Sequence, residues 1–263
     1  MVHNVFEHTG RRTVRAFDEV GYAASLLSDS LFWLLLGRRR RQPVRIGMVA
    51  GQMMQVGVEA LPIATLLSAA IGVMLAVQSL YSLGIFGAES YAHVGIGLAV
   101  TREFSPLIIG ILVAGRSGSA MAARLSSMSL SQEVDALRAL GIDPVRVLVA
   151  PALLAMVIMV PALTMWSNLV ATTAAGLVVC ADLDLSLLAY ATNTIAVVGP
   201  EDLLHGLAKS ALFAVLIALI AAVNGSMVKG GSEGVGRVTT RAVVYSISAI
   251  IVSDMIFGFL LTH

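Results

Sequence analysis

The chain has 263 residues, of which 57% are hydrophobic and 13% are charged, and its mean hydropathy is +0.88. This composition excludes an ordinary soluble domain and predicts an all-α polytopic membrane protein, with residues 1–263 forming a single domain. The formal net charge of +1 gives no reason to expect a nucleic-acid partner. A single cysteine, Cys180, excludes an internal disulfide, and the five scattered histidines show no metal-ligand spacing.

The segment 13–45 is predicted to form an amphipathic helix followed by a basic cluster. From Val14 onward, apolar residues recur at steps of three and four, with charged residues between them, until Gly37. Four consecutive arginines then follow: Arg38, Arg39, Arg40 and Arg41. The pattern indicates a helix lying in the membrane interface, with residues 1–12 frayed before it. The alternative, a first transmembrane helix, is disfavoured by the internal charges.

Five further segments are apolar and long enough to cross a bilayer, which requires about 20 residues. We predict spans at 61–83, 93–114, 147–181, 204–228 and 242–261, which together form a bundle over 61–262. Pro151 and Pro161 are expected to kink the third span. A short helix is expected at 185–194, and the glycine-rich stretch 229–237 is expected to link the last two spans.

The basic residues are distributed asymmetrically about this five-span arrangement. With five spans, 15 of the 17 lysines and arginines lie on the same side of the membrane. The other two, Arg102 and Lys209, lie within predicted spans. Because basic residues accumulate in cytoplasmic loops, the N-terminus is predicted to be cytoplasmic and the C-terminal His263 periplasmic. An even number of spans would break this agreement.

A long polar passage between the second and third spans is predicted to contain a helix at 128–141. Ser129 and Gln132 have the capping-box spacing, and Gly141 is placed as a helix C-cap. The residues of interest here are Ser129, Glu133, Val134, Leu137, Arg138 and Leu140. Their apolar stripe lies outside the bilayer and therefore needs a surface to pack on. The helix is either a connector lying on the membrane or the bundle, or a coupling helix that a soluble motor protein binds.

Two adjacent charges, Arg102 and Glu103, fall within the second span. An unpaired charge at membrane depth costs several kcal/mol, so it usually marks a partner or a water-filled cavity. Arg102 could pair with Glu103 or Asp254, or it could face a cavity and meet an anionic head group. Because neighbouring helical residues point in different directions, we predict that Arg102 faces the cavity and Glu103 a neighbouring helix.

Several other functions are disfavoured by the sequence. The glycines of 231–237 resemble a phosphate-binding loop, but an arginine replaces the required lysine and no Ser or Thr follows it. Ser119 and His205 fall near opposite membrane faces, which argues against a hydrolase dyad. A self-sufficient secondary transporter or channel remains an alternative, although such folds usually show repeated halves, and no internal repeat is present.

Five ordered motifs connect the chain to a known family. They are the sequences TREFSP at 101–106, AGRSGSA at 114–120, the EVDALRALGIDP run at 133–144, Asn224-Gly225, and GRVTTRAVV at 236–244. In combination they resemble the MlaE/YrbE permeases, the membrane subunits of ABC transporters that work with MCE proteins. The resemblance covers nearly the whole chain.

This resemblance implies a non-catalytic permease subunit that helps to maintain outer-membrane lipid asymmetry. The implied partners are a second permease copy, a cytoplasmic ABC ATPase that binds ATP, a periplasmic MCE-domain protein, in some systems a STAS-domain protein, and a phospholipid substrate. The chain itself would hold no cofactor. The implied lipid-binding residues are Arg102, Glu103, Gln78 and Tyr81, and 128–141 matches the family's coupling helix. The implied location is the bacterial inner membrane.

Overall fold

A computed structural model describes the backbone of residues 2–37 and 44–262, and the side chains of residues 17–37 and 44–260. The predicted basic cluster at Arg38, Arg39, Arg40 and Arg41 lies outside these described residues, as does His263. Throughout the described part of the chain the regular structure is helical, with no β-strand. The predicted all-α class is therefore confirmed.

Five helical segments are long and apolar enough to cross a membrane, as predicted. They are span 1 (Ile46–Gly84), span 2 (Glu89–Leu130), span 3 (Val145–Leu183), span 4 (Pro200–Ser226) and span 5 (Gly231–Leu260). Three further helices accompany them: the N-terminal helix (Val2–Leu36), the connecting helix (Glu133–Ala139) and the outer helix (Leu187–Val197). The short helix predicted at 185–194 is thus confirmed with shifted bounds.

Spans 1, 2 and 3 are composite. Span 1 contains Ile46–Val56, a short 3₁₀ turn at Val58–Ala60, and Leu61–Gly84. Span 2 contains a 3₁₀ turn at Glu89–Tyr91, α-helices at Ala92–Ala99, Ser105–Val113 and Ser119–Leu130, and π-helical segments at Val100–Phe104 and Ala114–Gly118. Span 3 begins with a π-helical segment at Val145–Val149 and continues as Ala150–Leu183. Span 4 is one α-helix, and the last helix continues to Thr262.

Several predicted boundaries are wrong, and the largest errors are helices that begin earlier than expected. Span 1 begins at Ile46, and the N-terminal helix is already formed at Val2. The glycine-rich linker is shorter than predicted because span 5 begins at Gly231. An ion pair of 2.9 Å between Arg237 and Glu233, one helical turn apart, supports the helix there. Hydropathy marks only the part of a helix that suits lipid, whereas these helices continue beyond it.

Two of the π-helical segments end two residues before a proline. In the first, the Ser105 N–H donates to the Val100 carbonyl, five residues back, and Pro106 follows. In the second, the Ala150 N–H donates to Val145, and Pro151 follows. A proline has no N–H to donate and its ring crowds the carbonyl four residues earlier, so the wider π turn accommodates it. Pro106 thus lies next to the π-helical segment that contains Arg102.

Spans 3 and 4 form the centre of the bundle, and spans 1 and 5 lie at its edge. The most apolar stretch of span 4 is 61% buried, whereas that of span 5 is 11% buried. The main core cluster joins Ile109 and Val113 of span 2 to Met156 of span 3 and to Phe213 and Ile217 of span 4. Large apolar surfaces of spans 1 and 5 consequently remain exposed in a single chain.

The N-terminal helix packs on the bundle through a face that the sequence did not indicate. It buries Leu26 and Ser30, and the Trp33 Nε1–H donates to Asp143 Oδ2 at 2.7 Å. The predicted apolar stripe stays exposed at Phe17 and Leu31, among others. The helix thus has two apolar faces, one covered by the bundle and one available to lipid.

Candidate functional site in the charged cluster of spans 2, 4 and 5

Arg102 and Glu103 lie side by side in the π-helical segment of span 2, and each contacts a different partner. The Arg102 Nε–H donates to Asp202 Oδ1 at 2.5 Å, whereas Glu103 Oε2 lies 2.6 Å from Lys209 Nζ. Glu103 therefore contacts a neighbouring span, as predicted, whereas the cavity-facing orientation of Arg102 stays a prediction. Arg102 does form an internal ion pair, which was the alternative to a cavity-facing cation, but its described partner is Asp202 and not Glu103 or Asp254.

Asp202 contacts two groups at once. One carboxylate oxygen accepts from Arg102, and the other accepts from the Gly199 N–H at 2.8 Å. The second contact caps the first turn of span 4, where the helix dipole also favours a negative charge. The predicted span 4 begins at residue 204, so Asp202 was left outside the span and received no role from the sequence. The sequence does contain a helix-start pattern at this point, because Gly199-Pro200 followed by acidic residues is typical of the first turn of a helix.

Lys209 connects three spans. Its Nζ lies 2.6 Å from Glu103 of span 2 and 3.0 Å from Asp254 of span 5, and its side chain is only 3% exposed. Sequence reasoning noted Lys209 only as a basic residue inside a span and did not assign it a partner. Together with Arg102 and Asp202, the cluster holds two positive and three negative groups, a formal net charge of −1.

A glycine allows spans 2 and 4 to approach closely at this cluster. A Cβ atom on Gly206 would lie 2.3 Å from the Thr101 carbonyl oxygen, which is well inside contact distance. Gly206 lies between Asp202 and Lys209 on span 4, one turn from each. The close approach therefore brings both of these residues within reach of Arg102 and Glu103.

Exposure divides the cluster into two layers. The side chains of Arg102 and Glu103 are 48% and 47% exposed, whereas those of Asp202 and Lys209 are 9% and 3% exposed. The two residues on span 2 can meet a ligand, and the two on span 4 hold them in place.

The other two residues assigned to lipid binding lie apart from this cluster. Gln78 and Tyr81 are both exposed near the end of span 1, and the Gln78 Nε2–H donates to Ser82 Oγ at 3.1 Å. Among the described residues, no hydrogen bond or ion pair joins either of them to Arg102. A single chain therefore does not bring the four predicted residues into one site.

A cavity of about 530 Å³ lies beside the cluster, between span 3 and the outer helix. Its walls include Thr101 and Leu203, the chain neighbours of Arg102 and Asp202. Most of the remaining lining is apolar, and Tyr190 of the outer helix closes one side. Burial raises the pKa of the Tyr190 hydroxyl above its ordinary value.

The connecting helix is shorter than predicted and starts differently. Ser129 belongs to the end of span 2, and Gln132 adopts a left-handed conformation with φ of 59° before the helix begins at Glu133. The capping-box prediction is therefore wrong, and the Ser131 hydroxyl instead donates to Glu133 Oε1 at 2.7 Å. The end of the helix agrees with the prediction, because Gly141 has a φ of 71°.

Backbone hydrogen bonds complete that C-terminal turn. The Ile142 N–H donates to the Leu137 carbonyl at 2.9 Å, and the Gly141 N–H donates to Arg138 at 3.0 Å. These two bonds define a Schellman motif, which fixes the direction of the chain toward span 3.

The connecting helix projects an apolar residue away from the bundle. Val134 and Leu137 are half-buried, but Leu140 at the tip is 74% exposed. Arg138 and Asp135 form an exposed ion pair of 3.3 Å on the polar face. The coupling role of this helix stays a prediction, since single exposed leucines are common on protein surfaces.

Comparison with known proteins identifies the family. The profile of the family described as Permease MlaE matches residues 49–260. The chain belongs to the MlaE permease family. A probable ABC transporter permease protein of Rickettsia felis is 33% identical over 255 residues, which cover 97% of this chain and 96% of that protein.

Two further relatives extend the family. A probable ABC transporter permease protein of Synechocystis sp. is 35% identical over 247 residues, covering 91% of this chain and 89% of that protein. The Haemophilus influenzae intermembrane phospholipid transport system permease protein MlaE is 29% identical over 265 residues, covering 97% of each. The resemblance drawn from the five motifs is confirmed. This MlaE-family protein is a multi-pass permease subunit of an ABC transporter, which replaces the alternative of a self-sufficient secondary transporter or channel.

Proposed function

We propose that this MlaE-family permease moves phospholipid between the inner membrane and a periplasmic MCE protein, and thereby maintains the lipid asymmetry of the outer membrane. The observation that carries the proposal is the half-exposed guanidinium of Arg102 within span 2, paired with Asp202 of span 4. A relative covering 97% of the chain is named an intermembrane phospholipid transport permease, which supports the same substrate.

Arg102 has the chemistry that a phospholipid head group requires. A guanidinium presents several N–H donors that match phosphate oxygens, and its charge is worth more where lipid excludes water. Asp202 occupies the Nε–H, which leaves the terminal nitrogens of Arg102 available to a phosphate. In this proposal Glu103 orients the site through Lys209, and Gln78 and Tyr81 contribute from the end of span 1.

The energy for transport comes from an ATPase that binds the connecting helix. The chain carries no nucleotide-binding motif, so ATP binds to the partner subunit. Conformational changes of that ATPase are then transmitted to the permease through the surface where the two proteins contact each other. The ATPase binds a surface formed by the exposed Leu140 together with the half-buried Val134 and Leu137. This assignment places the N-terminus and the connecting helix in the cytoplasm and the C-terminus in the periplasm, in agreement with the distribution of basic residues.

Two permease copies enclose the lipid cavity. Spans 1 and 5 are the least buried of the five spans. In this proposal one of them packs against the second copy while the other faces lipid. Pairing also brings Gln78 and Tyr81 of one copy to a shared cavity that a single chain leaves open. The MCE protein covers the periplasmic mouth, and a STAS-domain protein attaches to the ATPase in those systems that carry one.

The test is reconstitution of the purified complex with its ATPase and MCE protein in nanodiscs. We expect ATP-dependent movement of fluorescent phospholipid between the nanodisc and the MCE protein, and we expect Arg102→Ala to reduce the phospholipid that co-purifies with the permease. The matched control is Arg237→Ala, which removes an exposed arginine paired on its own helix. Lipid movement without ATP, or unchanged lipid content in Arg102→Ala, would overturn the proposal.

A further inference from the structure

A second cavity lies at the end of the bundle opposite the charged cluster. It has a volume of about 770 Å³ and is bounded by the start of span 1, the last third of span 2 and the start of span 3. Arg124, one of its lining residues, follows Arg102 on span 2 by a rise of about 33 Å at 1.5 Å per residue. That separation is close to the ~30 Å thickness of the bilayer's hydrocarbon core, so the two sites face opposite leaflets.

The polar wall of this cavity contains two arginines, one with partners among the described residues of the protein and one without. Arg116 is fixed, because its Nη1–H donates to the Gln55 carbonyl at 2.7 Å and its Nη2–H to Glu59 Oε2 at 2.9 Å. Arg124 lines the same cavity and is exposed, and no residue in the described part of the chain pairs with it. With Glu59 balancing Arg116, the charged groups of the lining sum to +1 and favour an anion.

The remaining walls favour an amphiphile over a simple ion. Apolar side chains line the cavity beside the arginines, including Val56, Met121 and Met156. A free anion would gain nothing from such walls, whereas a lipid would bury its glycerol and the first part of its acyl chains against them. Gly47 and Gly51 also border the cavity, and a Cβ atom on either would meet open space. The start of span 1 therefore leaves room for a ligand.

We propose that this cavity binds the phosphate head group of a phospholipid from the leaflet on the basic side of the membrane, with Arg124 as the phosphate ligand and Arg116 as the fixed second cation. The inference rests on the proposed function only in taking phospholipid as the ligand. According to this proposal the permease has two head-group sites, one for each leaflet. Arg124 binds a phospholipid from the leaflet on the basic side, either before or after that lipid is transported.

The test uses the full-length protein in nanodiscs that contain trace photoreactive phosphatidylglycerol or photoreactive diacylglycerol, and the crosslinked peptides are mapped by mass spectrometry. We expect the phosphate-bearing probe to label peptides from 46–59 and 116–125, and the uncharged probe to label them much less. Arg124→Gln should reduce that labelling by about tenfold, the effect of losing one charge-assisted hydrogen bond of about 1.4 kcal/mol or more. Arg237→Gln, which removes an exposed arginine elsewhere on the basic side, should leave the labelling unchanged.

A second variant tests the shape of the site independently of charge. Gly51→Leu fills the cavity while improving helix propensity, so it should abolish labelling without loss of folding. Equal labelling by both probes, or labelling that persists in both Arg124→Gln and Gly51→Leu, overturns the proposal. The labelling experiment needs neither ATP nor an MCE protein, so its result does not depend on transport. A failure of this proposal can therefore be distinguished from a failure of the proposed transport function.

Discussion

Lys209 Nζ lies 2.6 Å from Glu103 Oε2, and this contact joins the centre of the bundle to the π-helical segment that also presents Arg102. The same ammonium reaches Asp254 of span 5 at 3.0 Å. One buried lysine therefore fixes the relative positions of three spans at the depth where the candidate site lies. The site thus combines a local backbone feature, the π-helical segment beside Pro106, with a long-range ion pair.

Lys209→Met should destabilise the fold strongly, because it leaves two carboxylates without their cation at membrane depth. Breaking a buried pair from one side costs about 3–5 kcal/mol. Thermal unfolding of the purified protein in detergent measures the effect. Arg237→Met is the control, since its exposed pair should contribute only about 0.5 kcal/mol. If Glu103→Gln and Asp254→Asn are added to Lys209→Met, part of the loss should be recovered; a failure to recover any would contradict the pairing.

Asp202→Asn should release Arg102 while keeping the start of span 4 intact. The amide oxygen still accepts from the Gly199 N–H, but the charge that attracts Arg102 is gone. Because Arg102 is half-exposed, the stability loss should be only about 1 kcal/mol. The sharper measurement is the rate at which phenylglyoxal modifies Arg102, which should rise. Glu201→Gln removes an exposed acid from the same turn and should leave that rate unchanged.

Gly206→Ala should destabilise the protein although it adds a single methyl group. The new Cβ would lie 2.3 Å from the Thr101 carbonyl oxygen, so spans 2 and 4 must separate. Overpacking of this kind costs about 1–3 kcal/mol, measurable by thermal unfolding. Gly95→Ala is the matched control, because that helical glycine faces open space. The control should be neutral or slightly stabilising, by up to about 1 kcal/mol. Equal effects in the two variants would exclude close approach as the reason.

Leu140→Asp should weaken binding of the ATPase without harming the bundle. Leu140 is 74% exposed at the tip of the connecting helix, so a charge there meets water in the free permease and an apolar surface in the complex. Co-purification of the ATPase and the ratio of lipid moved to ATP hydrolysed should both fall by about tenfold or more. Leu188→Asp changes a leucine of similar exposure, 76%, on the outer helix and should leave ATPase binding unaffected. Normal ATPase binding by Leu140→Asp would contradict the coupling assignment.

Sequence alone was sufficient for the fold class, the number of spans, and the helix C-cap at Gly141. These features follow from local chemistry: the bilayer sets the length of an apolar run, and a left-handed turn selects glycine. The motifs around Arg102 and along 133–144 were likewise enough to predict the family, because they are contiguous in the chain.

Tertiary structure decided which charges meet. Asp202 and Lys209 are separated from Arg102 and Glu103 by about a hundred residues, and no periodicity relates them. Their pairing depends on how spans 2 and 4 approach at Gly206, a packing property that hydropathy does not encode. The docked face of the N-terminal helix was missed for the same reason. Its Leu26 and Ser30 are buried by a neighbouring surface that forms only when distant segments come together.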